Sequence, residues 1–110
     1  PEQEESYSEG QPPASLSSKQ EREKQIEKIL EKDLVEVYSD LDPEKQEEFK
    51  AQGEETARKI NELLDKAKVQ TKKIITLIKK WLSVLPGVNK FFIEQEAKSK
   101  ADEIIKLKKK

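Results

Sequence analysis

An all-α fold follows from three features of the 110-residue sequence. Large apolar residues recur at intervals of three and four along three separate stretches, the spacing of one helix face. The five prolines and three glycines fall between those stretches, with Gly53 the single exception. Charged residues make up 41% of the chain against 33% hydrophobic and 5% aromatic, which suits solvated helices around a small core. The predicted architecture is elongated and coiled-coil or bundle-like: two antiparallel helical hairpins on one long central helix, closed by oligomerisation.

Residues 1–17 are rich in Glu, Ser, Gln, Pro and Gly, with Tyr7 and Leu16 their only large apolar side chains. Such a segment buries too little surface to offset its ordering entropy, so it is predicted to be a disordered acidic and polar tail. Residues 18–110 form a single helical domain. Ser18-Lys19-Gln20-Glu21 reads as a capping box, and Ile26, Ile29, Leu30, Leu34, Val37 and Tyr38 follow at helical spacing. The first helix is therefore placed at about 18–39.

Asp42-Pro43 supplies an N-cap and a first-turn proline, and no proline follows until Pro86. One long helix over 43–85, roughly 60 Å at ~1.5 Å per residue, is the expectation. Gly53 within it is read as the place where the first helix approaches closely, since Ala57 follows one turn later. Gln70 and Thr71 interrupt its apolar stripe midway, and Gln70 is read as fixing register. Pro86-Gly87 stops the helix, and Asn89 is placed to cap a third helix over about 89–107.

The second half of the long helix carries more apolar surface than one neighbour can cover. Ile75 and Leu82 widen the stripe of Ile74, Leu77, Ile78, Trp81 and Leu85 to about 160°. Ile74, Ile75, Leu77, Ile78, Trp81, Leu82, Leu85, Phe91 and Phe92 are accordingly the candidate interaction face. A second copy of the chain is the favoured partner, as a dimer, because symmetric dimers dominate soluble oligomers. Another protein is the other candidate. On that reading Trp81→Ala would dissociate the oligomer and leave most helicity intact.

Net charge is −1, yet residues 1–55 hold 17 acidic against 7 basic side chains and residues 56–110 hold 6 against 15. Opposite charge on the two halves favours orienting contacts within or between copies. Lys72, Lys73, Lys79, Lys80 and Lys90 form a candidate basic patch around Trp81, Phe91 and Phe92. Basic residues flanking an amphipathic face with a tryptophan suit an anionic membrane surface, which is the alternative function. Nucleic acid is a weaker alternative, since Arg22 and Arg58 are the only arginines and bidentate base readout has little to work with.

Catalysis is not expected. The chain has no His and no Cys, which excludes imidazole and thiolate metal sites, thiol nucleophiles and a Ser-His unit. No phosphate-cradling glycine loop occurs, and no cofactor or metal is expected. No stretch approaches the ~18 apolar residues of a membrane span, and the acidic opening Pro1-Glu2-Gln3-Glu4-Glu5 does not read as a signal peptide. The expected location is cytoplasmic, with a membrane-peripheral variant. The predicted function is a non-enzymatic helical scaffold or interaction protein that self-associates through the apolar face of its long helix.

The stretch Leu85-Pro86-Gly87-Val88-Asn89-Lys90-Phe91-Phe92-Ile93-Glu94-Gln95-Glu96-Ala97-Lys98, with Leu41-Asp42-Pro43-Glu44 upstream, resembles small uncharacterised helical proteins of uncultured candidate-phyla bacteria. The resemblance spans roughly residues 40–108. It implies a bacterial origin and carries over no activity and no site residues.

Overall fold

The computed structural model describes residues 14–108, and every element among them is an α-helix: α1 Ala14–Glu31, α2 Val35–Ser39, α3 Pro43–Leu64, α4 Thr71–Leu82 and α5 Lys90–Lys108. The first thirteen residues of the predicted tail lie outside the described residues. Residues 14–17 do not belong to a tail, because α1 already begins at Ala14. Ser18 and Glu21 are therefore exposed positions inside a helix rather than its cap.

The predicted first helix is two. Asp33 takes a left-handed backbone (φ 66°), which ends α1, and short Asx residues tolerate that conformation better than most. Leu34 then turns into the core while the next residue, Val35, is 71% exposed. A side chain far away in sequence supports this end: Lys100 Nζ donates to Lys32 O at 2.7 Å and to Ile29 O at 3.3 Å. The ammonium satisfies Lys32 O, which the helix leaves free, and adds a second donor to Ile29 O, which also accepts from the Lys32 amide.

The predicted long central helix is also two, with a break at residues 65–70. No proline or glycine stands there, so local propensity does not cause it. The apolar arc does. With α4 folded back, Ile74, Ile78 and Leu82 are fully buried and Trp81 and Leu85 nearly so, against α3 and α5 of the same chain. Burying each such side chain contributes about 1.5–3 kcal/mol, together more than the few helical hydrogen bonds given up at the break. Asp65 fixes the end of α3 by pairing with Lys19 at 2.7 Å and Arg22 at 2.6 Å. The interruption at Gln70-Thr71 falls at the start of α4, where Gln70 O accepts from the amides of Lys73 and Ile74.

Each long helix packs on two others: α3 on α1 and α4, α5 on α4 and α1. The ring of contacts makes a four-helix arrangement with α2 as a corner, in a flattened body of 48 × 35 × 17 Å. Two other ends form from local sequence. The Asp42 carboxylate accepts from the Lys45 amide at 2.9 Å with Pro43 in the first turn of α3. The Asn89 side chain accepts from the Phe91 amide at 2.6 Å to start α5. Gly87, at φ 70°, makes the turn after Pro86.

Gly53 faces the indole of Trp81, not α1. A Cβ there would lie 3.1 Å from Trp81 Nε1 and Cζ2. The ring has little room to move, being stacked on Phe49 with centroids 4.4 Å apart and hydrogen-bonded to Phe49 O at 2.9 Å. Gly53→Ala gains about 1 kcal/mol of helix propensity but meets an overpacking cost of about 1–3 kcal/mol. The expected result is a net loss of stability in thermal melts. A raised midpoint would show that the indole yields.

Candidate functional site

The predicted interaction face does not survive as a surface. Ile74, Ile78, Trp81, Leu82 and Leu85 are core; Ile75, Leu77 and Phe92 are half-buried. Phe91 alone stands out, 66% exposed at the start of α5. The surface a second copy was expected to cover is covered within the chain, by α3 and α5.

The predicted basic patch is divided between the two ends of α4. Lys79 pairs with Glu94 at 3.6 Å, and Lys80 and Lys90 are exposed near the α4–α5 turn. Lys72 and Lys73, in the first turn of α4, belong to a different assembly. They line a groove of about 780 Å³ with Lys19 of α1, Lys59, Glu62, Leu63 and Asp65 of α3, Lys66 of the following loop, and Thr76 and Leu77 of α4.

Helical spacing explains how these residues converge. Lys59 and Leu63 on α3 are four apart, as are Lys73 and Leu77 and Lys72 and Thr76 on α4, so each pair lies on one helix face, and Lys66 follows just beyond the end of α3. Antiparallel packing of α3 and α4 around the break sets these faces side by side. The break thus creates the groove as well as the core.

Charge is unbalanced along it. Of the two acidic residues, Asp65 is held by Lys19 and Arg22, and Glu62 by Arg58 at 3.1 Å. Lys59 reaches Glu55 at 4.0 Å. Among the described residues Lys66, Lys72 and Lys73 take part in no ion pair. Nor does the first turn of α4 contain an acidic residue, so two lysines sit where the helix dipole favours anions. Local rules broken in this way tend to mark a functional surface.

Behind the groove a buried polar cluster fixes α1 to α3. Asn61, fully buried, donates through Nδ2 to Lys19 O at 3.0 Å and accepts from Arg22 Nε. Arg22 also donates to Asn61 O at 2.9 Å. Hydrogen bonds from Lys19 and Arg22 hold the Asp65 carboxyl below the ordinary aspartate range. Its pairing therefore stabilises the fold above pH ~3.9 and is lost as pH falls below that value.

Glu27 behaves in the opposite sense. Partial burial raises its pKa, and Glu54, Glu23 and Glu31 raise it further. Its ionised form opposes folding at neutral pH, and the penalty is relieved as pH falls toward ~4.3. Glu27→Gln is expected to raise the melting temperature at pH 7 by on the order of 2–4 °C. The advantage of the Gln variant over the parent should shrink on acidification from pH 7 to about 4.5. An advantage that stays constant over that interval would contradict this.

The groove offers charge and apolar contact together, since Leu63 and Leu77 line it alongside five lysines. Lysine ammonium groups suit carboxylates or phosphates without demanding one planar geometry. Sequence reasoning found Lys72, Lys73 and Leu77 but placed them on other surfaces, and missed Lys19, Lys59, Leu63 and Lys66. The spacing of Lys59 and Leu63 was the available signal. Among the described residues no cluster of His, Cys, Asp and Glu is arranged to hold a metal, and no helix is long and apolar enough to cross a membrane. Compared with protein-family models, curated proteins and solved structures, the chain matches none.

Proposed function

We propose that this chain is a non-enzymatic helical interaction module that captures an acidic, amphipathic protein segment in the groove between α1, α3 and α4. The observation that supports this is the set of three lysines without acidic partners among the described residues, Lys66, Lys72 and Lys73, beside Leu63 and Leu77. A segment with carboxylates on one side and apolar residues on the other meets both. Self-association keeps a foothold in this reading, since the acidic half of a second copy is one source of such a segment. The membrane alternative is weaker, because Trp81 is buried with its N–H occupied and Phe91 is the one exposed residue of the face expected to insert.

The test is fluorescence anisotropy with a labelled helical peptide bearing Glu on one face and Leu on the other. Binding should weaken with salt and fall about tenfold or more in Lys72→Glu/Lys73→Glu. Vesicles of phosphatidylserine and phosphatidylcholine, and duplex DNA, should bind less well. Vesicle binding without peptide binding would replace this reading with the membrane one. Solution mass measured alongside shows whether a second copy is the partner.

A further inference from the structure

We infer that the groove's resident occupant is the chain's own acidic segment, Glu2 to Glu9, lying across Lys66, Lys72 and Lys73 as an intramolecular competitor. This rests on the groove reading above but requires no outside partner.

Three observations carry it. The first is charge: residues 1–13 contain Glu2, Glu4, Glu5 and Glu9 and no basic residue, while the groove is lined by five lysines against Glu62 and Asp65. Both of those acids already have cationic partners, and among the described residues Lys66, Lys72 and Lys73 pair with no acid. The second is the point of entry. Lys19 lines the groove, and α1 begins only five residues earlier, ~8 Å along the helix. The third is reach: thirteen residues extend to roughly 40 Å, against a body whose longest dimension is 48 Å.

Composition suits the same place. Tyr7, between Glu5 and Glu9, is the one large apolar side chain in residues 1–13, and Leu63 and Leu77 supply an apolar wall for it. Exposed ion pairs are individually weak. Tethering raises the effective concentration to on the order of millimolar, so several weak pairs suffice, and an outside segment must displace them. The groove would then answer only to partners more acidic or more apolar than the chain's own segment.

The absence of cysteine makes the test direct, because Ser8→Cys places one nitroxide on the full chain. Paramagnetic broadening should concentrate on the amides of Leu63, Lys66, Lys72, Lys73 and Thr76. It should fade at ~0.5 M salt, where screening is short-ranged. It should also fade in Lys72→Glu/Lys73→Glu, checked for helicity, and when Glu2, Glu4, Glu5 and Glu9 are changed to Gln. That four-Gln chain should bind the acidic peptide several-fold more tightly than the parent. Broadening confined to the first turns of α1, or indifferent to salt and to the Gln changes, would overturn the inference even if the peptide binds. Charge-dependent broadening in a chain that never binds the peptide would uphold it and remove the outside-partner reading instead.

Discussion

Trp81→Ala is expected to lower stability by about 3–5 kcal/mol and the melting temperature by on the order of 15 °C or more. The indole is 3% exposed, stacked on Phe49, seated on Gly53 and hydrogen-bonded to Phe49 O. Removing it empties the contact that closes α4 onto α3, so the loss includes a cavity that the clamped neighbours cannot fill. Against the 5–15 kcal/mol of a typical domain this is a large share. Trp81→Phe keeps the stack and loses the hydrogen bond, and should cost about 1–3 kcal/mol. Circular dichroism melts and denaturant titration check both. A Trp81→Ala chain that kept its helicity and midpoint but halved its mass would restore the view of Trp81 as an interface between copies.

Lys100→Met should be the second most damaging change, at about 2–4 kcal/mol. The side chain is almost wholly buried, bonded to the carbonyls of Ile29 and Lys32 and paired with Glu96 at 3.2 Å. Methionine preserves the apolar stem and removes the charge. Lys32 O at the end of α1 then loses its donor, Ile29 O keeps only the Lys32 amide, and a partly buried carboxylate loses its partner. Lys100→Arg should not rescue fully, because a planar guanidinium does not fit where a compact ammonium converges on three oxygens. Hydrogen exchange in the last turn of α1 and in α2 should accelerate in Lys100→Met. Unchanged protection there would mean that Asp33 alone ends the helix.

Both residues show where sequence reading reaches its limit. Trp81 was identified as apolar and important, but its periodicity is the same whether α3 or a second chain covers it. Lys100 gave no signal at all: Lys98-Ser99-Lys100 reads as a solvated face, and only the crossing of α5 over the end of α1 makes one of these lysines internal. The groove was legible in pieces. Lys72, Lys73 and Leu77 were singled out, while Lys19, Lys59 and Lys66 lie on other elements and join them only through the fold.

The sequence by itself determined the helical class, the face each helix buries, and those ends with a local chemical cause: Asp42-Pro43, Pro86-Gly87 and Asn89. It also determined that α4 carries more apolar surface than one neighbour covers. Tertiary structure decided how that surface is closed. Residues 65–70 have no breaker, and the chain bends there because folding α4 back buries Ile74, Ile78, Trp81 and Leu82, which outweighs one interrupted turn of helix. Asp33 and Lys100 end α1 for a similar reason, since the long-range ammonium gives Lys32 O a donor that the helix does not supply. Caps and the backbone hydrogen bonds within a helix act over a few residues and are written locally. Burial of apolar area acts between segments far apart in the chain, and it set the break, the core and the groove together.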